Sequence, residues 1–375
     1  MLKKLYSILP MLVFLIFLAA MAVMLFFLPH KEYSENEKRN LAGVPEVTVD
    51  GILDGSVQED LETFTADQIP GRDLFVGVNA YWNLATGRNA AQDIYYGKDG
   101  YLINAPKPLD EKIFSDNLTR FDDFAAQQGI PADLLMVPSG GYLMEDKLPP
   151  FHGAYHDDAL HEKAQELLHH TQVIDVREAL KTGAETRQVC YRTDHHLTSY
   201  GNYLLYQQYQ NHRGQPFLSE EDFNVYTHDG FYGTTWSGSG YWKVAPDQVE
   251  VWDSCFHVEV TFQDGGQPPK TTYQLFYPDH LKELDKYPVF LDGNHSMVHI
   301  HSPQAPEGSI LLVRDSYAHC MSTFLSISYE DLYLVDLRYY RNSLSEFLKE
   351  HPVDRILYLY GVDNLVSDTN SSWLN

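Results

Sequence analysis

Residues 309–317 read SILLVRDSY: an apolar run, Ile310-Leu311-Leu312-Val313, goes straight through Arg314 into Asp315-Ser316-Tyr317, and a helical stretch follows from Ala318 to Ile327. A strand that ends abruptly in a polar turn and a helix is one half of a βαβ unit. The same grammar recurs on both sides. Downstream come apolar runs at Leu332–Val335 and Ile356–Leu359, with a helical segment from Leu344 to Glu350 between them. Upstream, Leu134–Val137 and Val173–Val176 read as strands, and Leu118–Gln128, Asp158–His170 and Ser199–Asn211 as helices. Strands alternating with helices predict an α/β fold, a parallel sheet flanked by helices.

In such a sheet, reactive side chains gather at the loops beyond the carboxyl ends of strands. Ser316 stands at one such end. Its hydroxyl would project from the sheet edge, and the helix start supplies backbone N–H groups able to bind an oxyanion. The competing reading is a helix cap, because Asp and Ser are both favoured N-cap residues. The second end is Tyr191–Thr198, YRTDHHLT. On an extended segment, residues at i and i+2 point to one side, so Asp194 and His196 can reach one site. A serine needs an imidazole to take its proton, and the imidazole needs a carboxylate to hold its tautomer. Here too a capping cluster, Asp194 with Thr198, is the alternative. A third candidate, Gly293-Asn294 in FLDGNH, can aim an amide at a developing oxyanion or simply form a tight turn. Tyr317, His195, Arg314 and Asn364 are further candidates for the lining of the same site.

The chain has 375 residues and a formal charge of −25, from 27 basic and 52 acidic side chains. That balance excludes a nucleic-acid partner, which needs a basic footprint. With 26 tyrosines and 13% aromatic residues, a sizeable packed core is expected. Leu5 to Leu28 holds no charged residue, follows Lys3 and Lys4, and is long enough to span roughly 30 Å of hydrocarbon. No small-x-small cleavage pattern stands at its end, so an uncleaved single-pass anchor is expected, with everything after His30 extracellular. Residues 1–30 are then a cytoplasmic tip and transmembrane anchor. Residues 31–108 read as a stalk, a helical segment broken at Pro70-Gly71, and a hairpin around Gly97–Gly100. Residues 109–375 form the α/β domain, with a β-rich insertion at about 217–304. Cys190, Cys255 and Cys320 show no C-x-x-C spacing, which fits small buried side chains with one disulfide pair still permitted.

Two other function classes fit parts of the sequence. His299-Ile300-His301 puts two imidazoles on one face of a strand, and His195 with His196 would add ligands for a metal-dependent hydrolase. No H-E-x-x-H or comparable set accompanies them, so neither a metal nor any other cofactor is expected. Trp236, Tyr241, Trp242 and Trp252 could stack on sugar rings in a non-catalytic glycan-binding scaffold, or form core.

Seven ordered blocks carry a more specific likeness: YSENEKRNLAGVP at Tyr33, DQIPGRD at Asp67, IYYGKDGYLI at Ile94, TDHHLTSYG at Thr193, YPVFLDGNH at Tyr287, LLVRDSYAHCMSTFL at Leu311, and LVDLRYY at Leu334. With these the chain resembles the DHHW family of Gram-positive envelope proteins, whose naming motif stands here as Asp194-His195-His196-Leu197. That family is similar to the SGNH-hydrolase-like alginate O-acetylation proteins, in which the serine follows the Asp-x-His pair. The resemblance implies a catalytic set of Ser316, His196 and Asp194, with Gly293 and Asn294 at the oxyanion. It implies an acyltransferase or esterase acting on O-acetyl groups of a cell-envelope polysaccharide, with a membrane acyl-donor protein as a possible partner. Leu197 stands where the family has Trp, and His319 where Asn is commoner.

Overall fold

Among the residues that the computed structural model describes, 2–34, 36–37 and 39–375, contacts fall into two compact units. The smaller comprises the chain up to Ala91 together with Ser237–Trp242; the larger comprises Gln92–Trp236 and Lys243–Asn375. The Ile94–Asn104 hairpin, whose strands Ile94–Tyr96 and Leu102–Asn104 pair antiparallel, belongs to the larger unit.

In the smaller unit the apolar N-terminal run forms one helix, Leu2–Phe27, and no residue of Ile8–Leu25 is buried. By length and composition it is able to cross a membrane. Pro70-Gly71 separates helices Ser56–Gln68 and Arg72–Ala85, as the breaker predicts. Buried Asp67 ties the preceding loop down. Its carboxylate accepts from Arg39 at 2.5 Å and from the Ala42 N–H at 2.9 Å, and Arg39 holds it below the usual carboxylate range.

In the larger unit five parallel strands lie in the order Thr171–Ile174, Ala132–Val137, Arg355–Gly361, Glu307–Arg314, Tyr329–Val335. The β-rich segment adds to this sheet: Met297–His301, Glu259–Gln263 and Lys270–Thr272 continue it beyond Tyr329–Val335 as antiparallel strands. The eight-stranded sheet is thus mixed, and half of the insertion is an extension of it. The other half is a separate antiparallel ribbon, Asn224–Phe231 with Asp247–Asp253.

Ile310–Val313 are fully buried because the sheet is covered on both faces. Leu311 and Val313 face a core with Phe114, Leu118 and Phe121 from the helix Glu111–Gln128, where Phe121 stacks on Tyr358 at 4.3 Å. That helix starts on an Asp110 cap and ends at Gly129, whose φ of +66° suits glycine. On the other face the helix Ser199–Arg213 is fixed by Tyr206 and Gln210 on Ser328, and by Tyr209 on Tyr329. The chain leaves Glu307–Arg314 for Tyr329–Val335 on one side, then crosses to Arg355–Gly361 on the other. Ser316 therefore lies just past a topological switch point, where an open α/β sheet forms its crevice.

Candidate active site

Ser316 Oγ lies 2.9 Å from His196 Nε2, and His196 Nδ1 lies 2.5 Å from Asp194 Oδ1. Two loops 120 residues apart meet here. With Nδ1–H donating to the carboxylate, Nε2 is the bare nitrogen and accepts the serine hydroxyl proton. Asp194 and His196 are buried, and Ser316 is partly open.

The capping alternatives separate cleanly. The helix after Ser316, Ala318–Leu325, is capped by Tyr317 without a side-chain bond, so the Ser316 hydroxyl is not spent as a cap. Asp315 instead turns inward and accepts from the Tyr317 N–H, the Gly361 N–H and Asn364 Nδ2, at 2.7–2.9 Å. Burial raises its carboxyl above the ordinary range while those three donors oppose the shift. The Ser316 turn is thereby bolted to the end of the neighbouring strand Arg355–Gly361. In the other loop Thr198 does cap its helix, accepting from the Gly201 N–H. Asp194 does not: its Oδ1 takes the His196 backbone N–H at 2.9 Å as well as the ring Nδ1. The segment is consequently a tight turn, closed by the Cys190–Leu197 bridge and a bond from the Tyr191 N–H to the His196 carbonyl, and not the extended stretch expected.

Sequence reasoning missed the residues that complete this carboxylate. Asp194 Oδ2 accepts from the Thr234 N–H at 2.6 Å and its Oγ1 at 2.8 Å. Thr234 Oγ1 in turn lies 2.7 Å from His195 Nδ1. Since Thr234 gives its proton to Asp194, it accepts from His195. Asp247 pins the same loop from behind through the Thr193 N–H and Oγ1, both at 2.7 Å. Gly233 is obligatory: a Cβ there would lie 2.1 Å from the Asp194 Cβ. Thr234, Gly233 and Asp247 all belong to the β-rich insertion, and no local motif marks them.

Rings surround His196. Tyr287 stacks on it at 3.9 Å and 10°, His195 lies at 3.8 Å on a tilt, and Tyr317 meets it edge-on at 5.2 Å. Tyr317 OH donates to the His195 carbonyl at 2.9 Å. Below the Ser316 turn, the buried Arg314 guanidinium reaches Asp336 at 3.2 Å and His319 Nε2 at 2.6 Å. Burial, then the nearby Arg314 charge, push His319 well below the usual imidazole range, so its neutral ring is the acceptor.

Gly293 is buried at φ +87°, but Asn294 is exposed, with Oδ1 3.5 Å from Arg338 Nη2. No hydrogen bond among the described residues joins Asn294 to Ser316. Asn364 is engaged by Asp315. Trp236, Tyr241 and Trp252 are buried core. His299 and His301 both meet Asp331 Oδ1, at 2.8 and 3.0 Å, on a half-exposed stretch of the sheet extension. The ligand atoms of Asp194, His195 and His196 lie within 4.8 Å of one another, the one such trio among the described residues. An ion there would have to displace the bonds that already fill both Asp194 oxygens.

A small cavity of about 20 Å³ touches Asp194, His195, Tyr317, Gly140 and Asp363. It shares Tyr101 and Met144 with an open cleft of about 480 Å³ that Lys181, Arg187 and Arg192 also line. The slightly larger cleft in the smaller unit, about 510 Å³, is bounded by residues such as Met24, His30 and Arg72, without a nucleophile–base pair.

A model of the family described as DHHW protein matches residues 175–335, a span containing Asp194, His196 and Ser316. A DHHW family protein from Eubacterium siraeum shares the fold, with a TM-score of 0.66 at 18% identity, over 75% of this chain and 95% of that one. Bacillus cereus PatB1, solved with a sulfonyl adduct, matches with a TM-score of 0.64 at 18% identity, over 75% and 98%. A second structure of PatB1 gives 0.61 at 17%, over 72% and 97%. No curated protein matches the chain. In sequence pattern and in fold alike, the chain resembles the DHHW proteins, as its Asp194–Leu197 motif implied.

Proposed function

We propose that this protein is a serine-dependent acyltransferase or esterase that handles O-acetyl groups on a cell-envelope polysaccharide, held at the membrane by Leu2–Phe27 with its larger unit outside. The unbroken series Ser316–His196–Asp194, at 2.9 and 2.5 Å, carries this reading. Ser316 Oγ attacks the acyl carbonyl as His196 Nε2 takes its proton. Asp194 holds the tautomer and stabilises the imidazolium that forms. The tetrahedral oxyanion develops beside the Ser316 N–H, which has no hydrogen-bond partner among the described residues. One such donor is worth roughly 3 kcal/mol in the transition state. Collapse expels the deacylated alcohol, which takes its proton from His196. Water or a sugar hydroxyl then resolves the acyl-serine by the same route in reverse. That PatB1 was solved with a sulfonyl adduct supports this reading, since sulfonyl groups are electrophiles of the kind an activated hydroxyl attacks. A membrane acyl-donor protein would supply the acetyl group in the transfer direction.

The test is turnover of p-nitrophenyl acetate by the full chain in detergent, with fluorophosphonate labelling. Ser316→Ala and His196→Ala should each cut kcat by about 10⁶-fold, and Ser316→Ala should abolish labelling. Turnover that survives Ser316→Ala but is lost in EDTA would replace this mechanism with a metal-dependent one.

A further inference from the structure

Resting on that acyl-transfer reading, we propose that Tyr287 is a positioning residue that keeps the His196 ring in line between Asp194 and Ser316. Tyr287 lies in a short turn, Tyr287–Val289, well outside both loops that supply the triad. It is 5% exposed, and its phenol touches two triad members at once. Its ring lies flat on the His196 imidazole, with centroids 3.9 Å apart and planes 10° from parallel. Its hydroxyl donates to the Ser316 carbonyl oxygen at 3.3 Å.

A histidine χ2 torsion is broad, so two terminal hydrogen bonds alone leave the imidazole free to tilt. Flat neighbours remove that freedom. His195 lies 3.8 Å away on a tilt, Tyr317 supplies an edge at 5.2 Å, and Tyr287 provides the parallel face. Tyr287 is itself fixed: Phe290 meets it edge-on at 5.5 Å, and its N–H donates to Asp285 Oδ1 at 3.0 Å. The contact also strengthens during reaction. An aromatic face attracts the imidazolium that exists only once His196 has taken the serine proton, worth about 2- to 30-fold in rate. Lost alignment adds to this, since a displacement of about 1 Å can cost 10²-fold.

Tyr287→Leu removes the flat face, and Tyr287→Phe keeps it without the hydroxyl. On p-nitrophenyl acetate, Leu should lower kcat by about 10- to 100-fold with KM within about twofold, whereas Phe should stay within about threefold of wild type. Should the Leu variant not fold, Tyr287→Met, flexible and without a flat face, is read in its place. A second readout needs no substrate: the low-field proton resonance of the His196 Nδ1–H, identified by its loss in His196→Ala. Wild type and Tyr287→Phe should keep it sharp, while Leu or Met should broaden or abolish it. A folded Leu or Met variant with wild-type kcat and an unchanged resonance overturns the proposal, as does a Phe variant as slow as Leu. Absence of Ser316-dependent turnover in wild type would defeat the acyl-transfer reading alone, and the resonance would still decide the role of Tyr287.

Discussion

Gly233→Ala is the sharpest probe of how the insertion completes the site. A Cβ at 233 would stand 2.1 Å from the Asp194 Cβ, 2.3 Å from Oδ2 and 2.5 Å from Cγ. Ordinary contact begins at 3.4 Å, so the two segments must part by 3.4 − 2.1 = 1.3 Å. The obstructing atoms include Cβ, which cannot swing aside by a rotamer change, so the backbone turn around Asp194 has to move. A shift of that size along the bond would stretch the 2.5 Å contact between Asp194 and His196 to roughly 3.8 Å, beyond hydrogen-bonding range. The expected loss in kcat is between about 10², for a misplaced group, and about 10⁴, for a base without its carboxylate. Overpacking should cost about 1–3 kcal/mol of stability, read by urea denaturation. Gly230→Ala is the control. It lies in the ribbon strand Asn224–Phe231, three positions before Gly233, at φ +81°, and its nearest neighbour would be the Lys286 Cε at 3.9 Å. That substitution strains the ribbon without touching Asp194, so it should weaken folding and leave turnover intact. A folded Gly233→Ala protein turning over p-nitrophenyl acetate at the wild-type rate would refute the reasoning.

The sequence made the sheet legible because its strands are unbroken apolar runs punctuated by polar turns, and Ile310–Val313 is the clearest of them. It offered the Asp194–His196 and Ser316 loops as candidates because each lies beside its own strand or helix start, yet both read locally as capping clusters too, and the family resemblance was what set them together. It did not reveal Thr234, Gly233, Asp247 or Tyr287. These residues act through contacts separated by roughly 30 to 90 positions of chain, and hydrophobic periodicity reports only on neighbours within a few turns. The insertion deceived for a similar reason. Its alternating aromatics and β-branched residues announce strands, yet nothing in them says that Met297–His301 pairs with Tyr329–Val335 while Asn224–Phe231 pairs elsewhere. Asn294 is harder to place: a Gly-Asn turn looks purposeful in sequence, and in the structure its side chain is exposed with Oδ1 3.5 Å from Arg338 Nη2.

Two further substitutions test a hydrogen bond beside Asp194 and a buried charge elsewhere in the larger unit. Thr234→Val keeps the shape and the backbone N–H bond but deletes the hydroxyl that links His195 to Asp194 Oδ2. A hydrogen bond to a charged group is worth about 1.5–3 kcal/mol, so kcat should fall roughly 10- to 100-fold; an unchanged kcat would mean that the N–H alone orients the carboxylate. Asp157→Asn should instead stabilise the fold. Burial, with the Asp363 charge as a lesser cause, lifts the Asp157 carboxyl from 3.8 to about 6. A raised folded-state pKa favours the protonated form, so its stabilising effect is complete below about pH 4 and is lost as pH rises through about 6. At pH 7 the wild type therefore carries a buried ionised carboxylate at a cost of about 1–3 kcal/mol. Asparagine avoids that cost and still offers an oxygen to the Ser139 N–H, now bonded at 2.7 Å. Urea denaturation from pH 4 to 8 should show the Asn variant gaining on wild type as pH rises, with no difference near pH 4. A gap independent of pH would place the effect in packing and not in the charge.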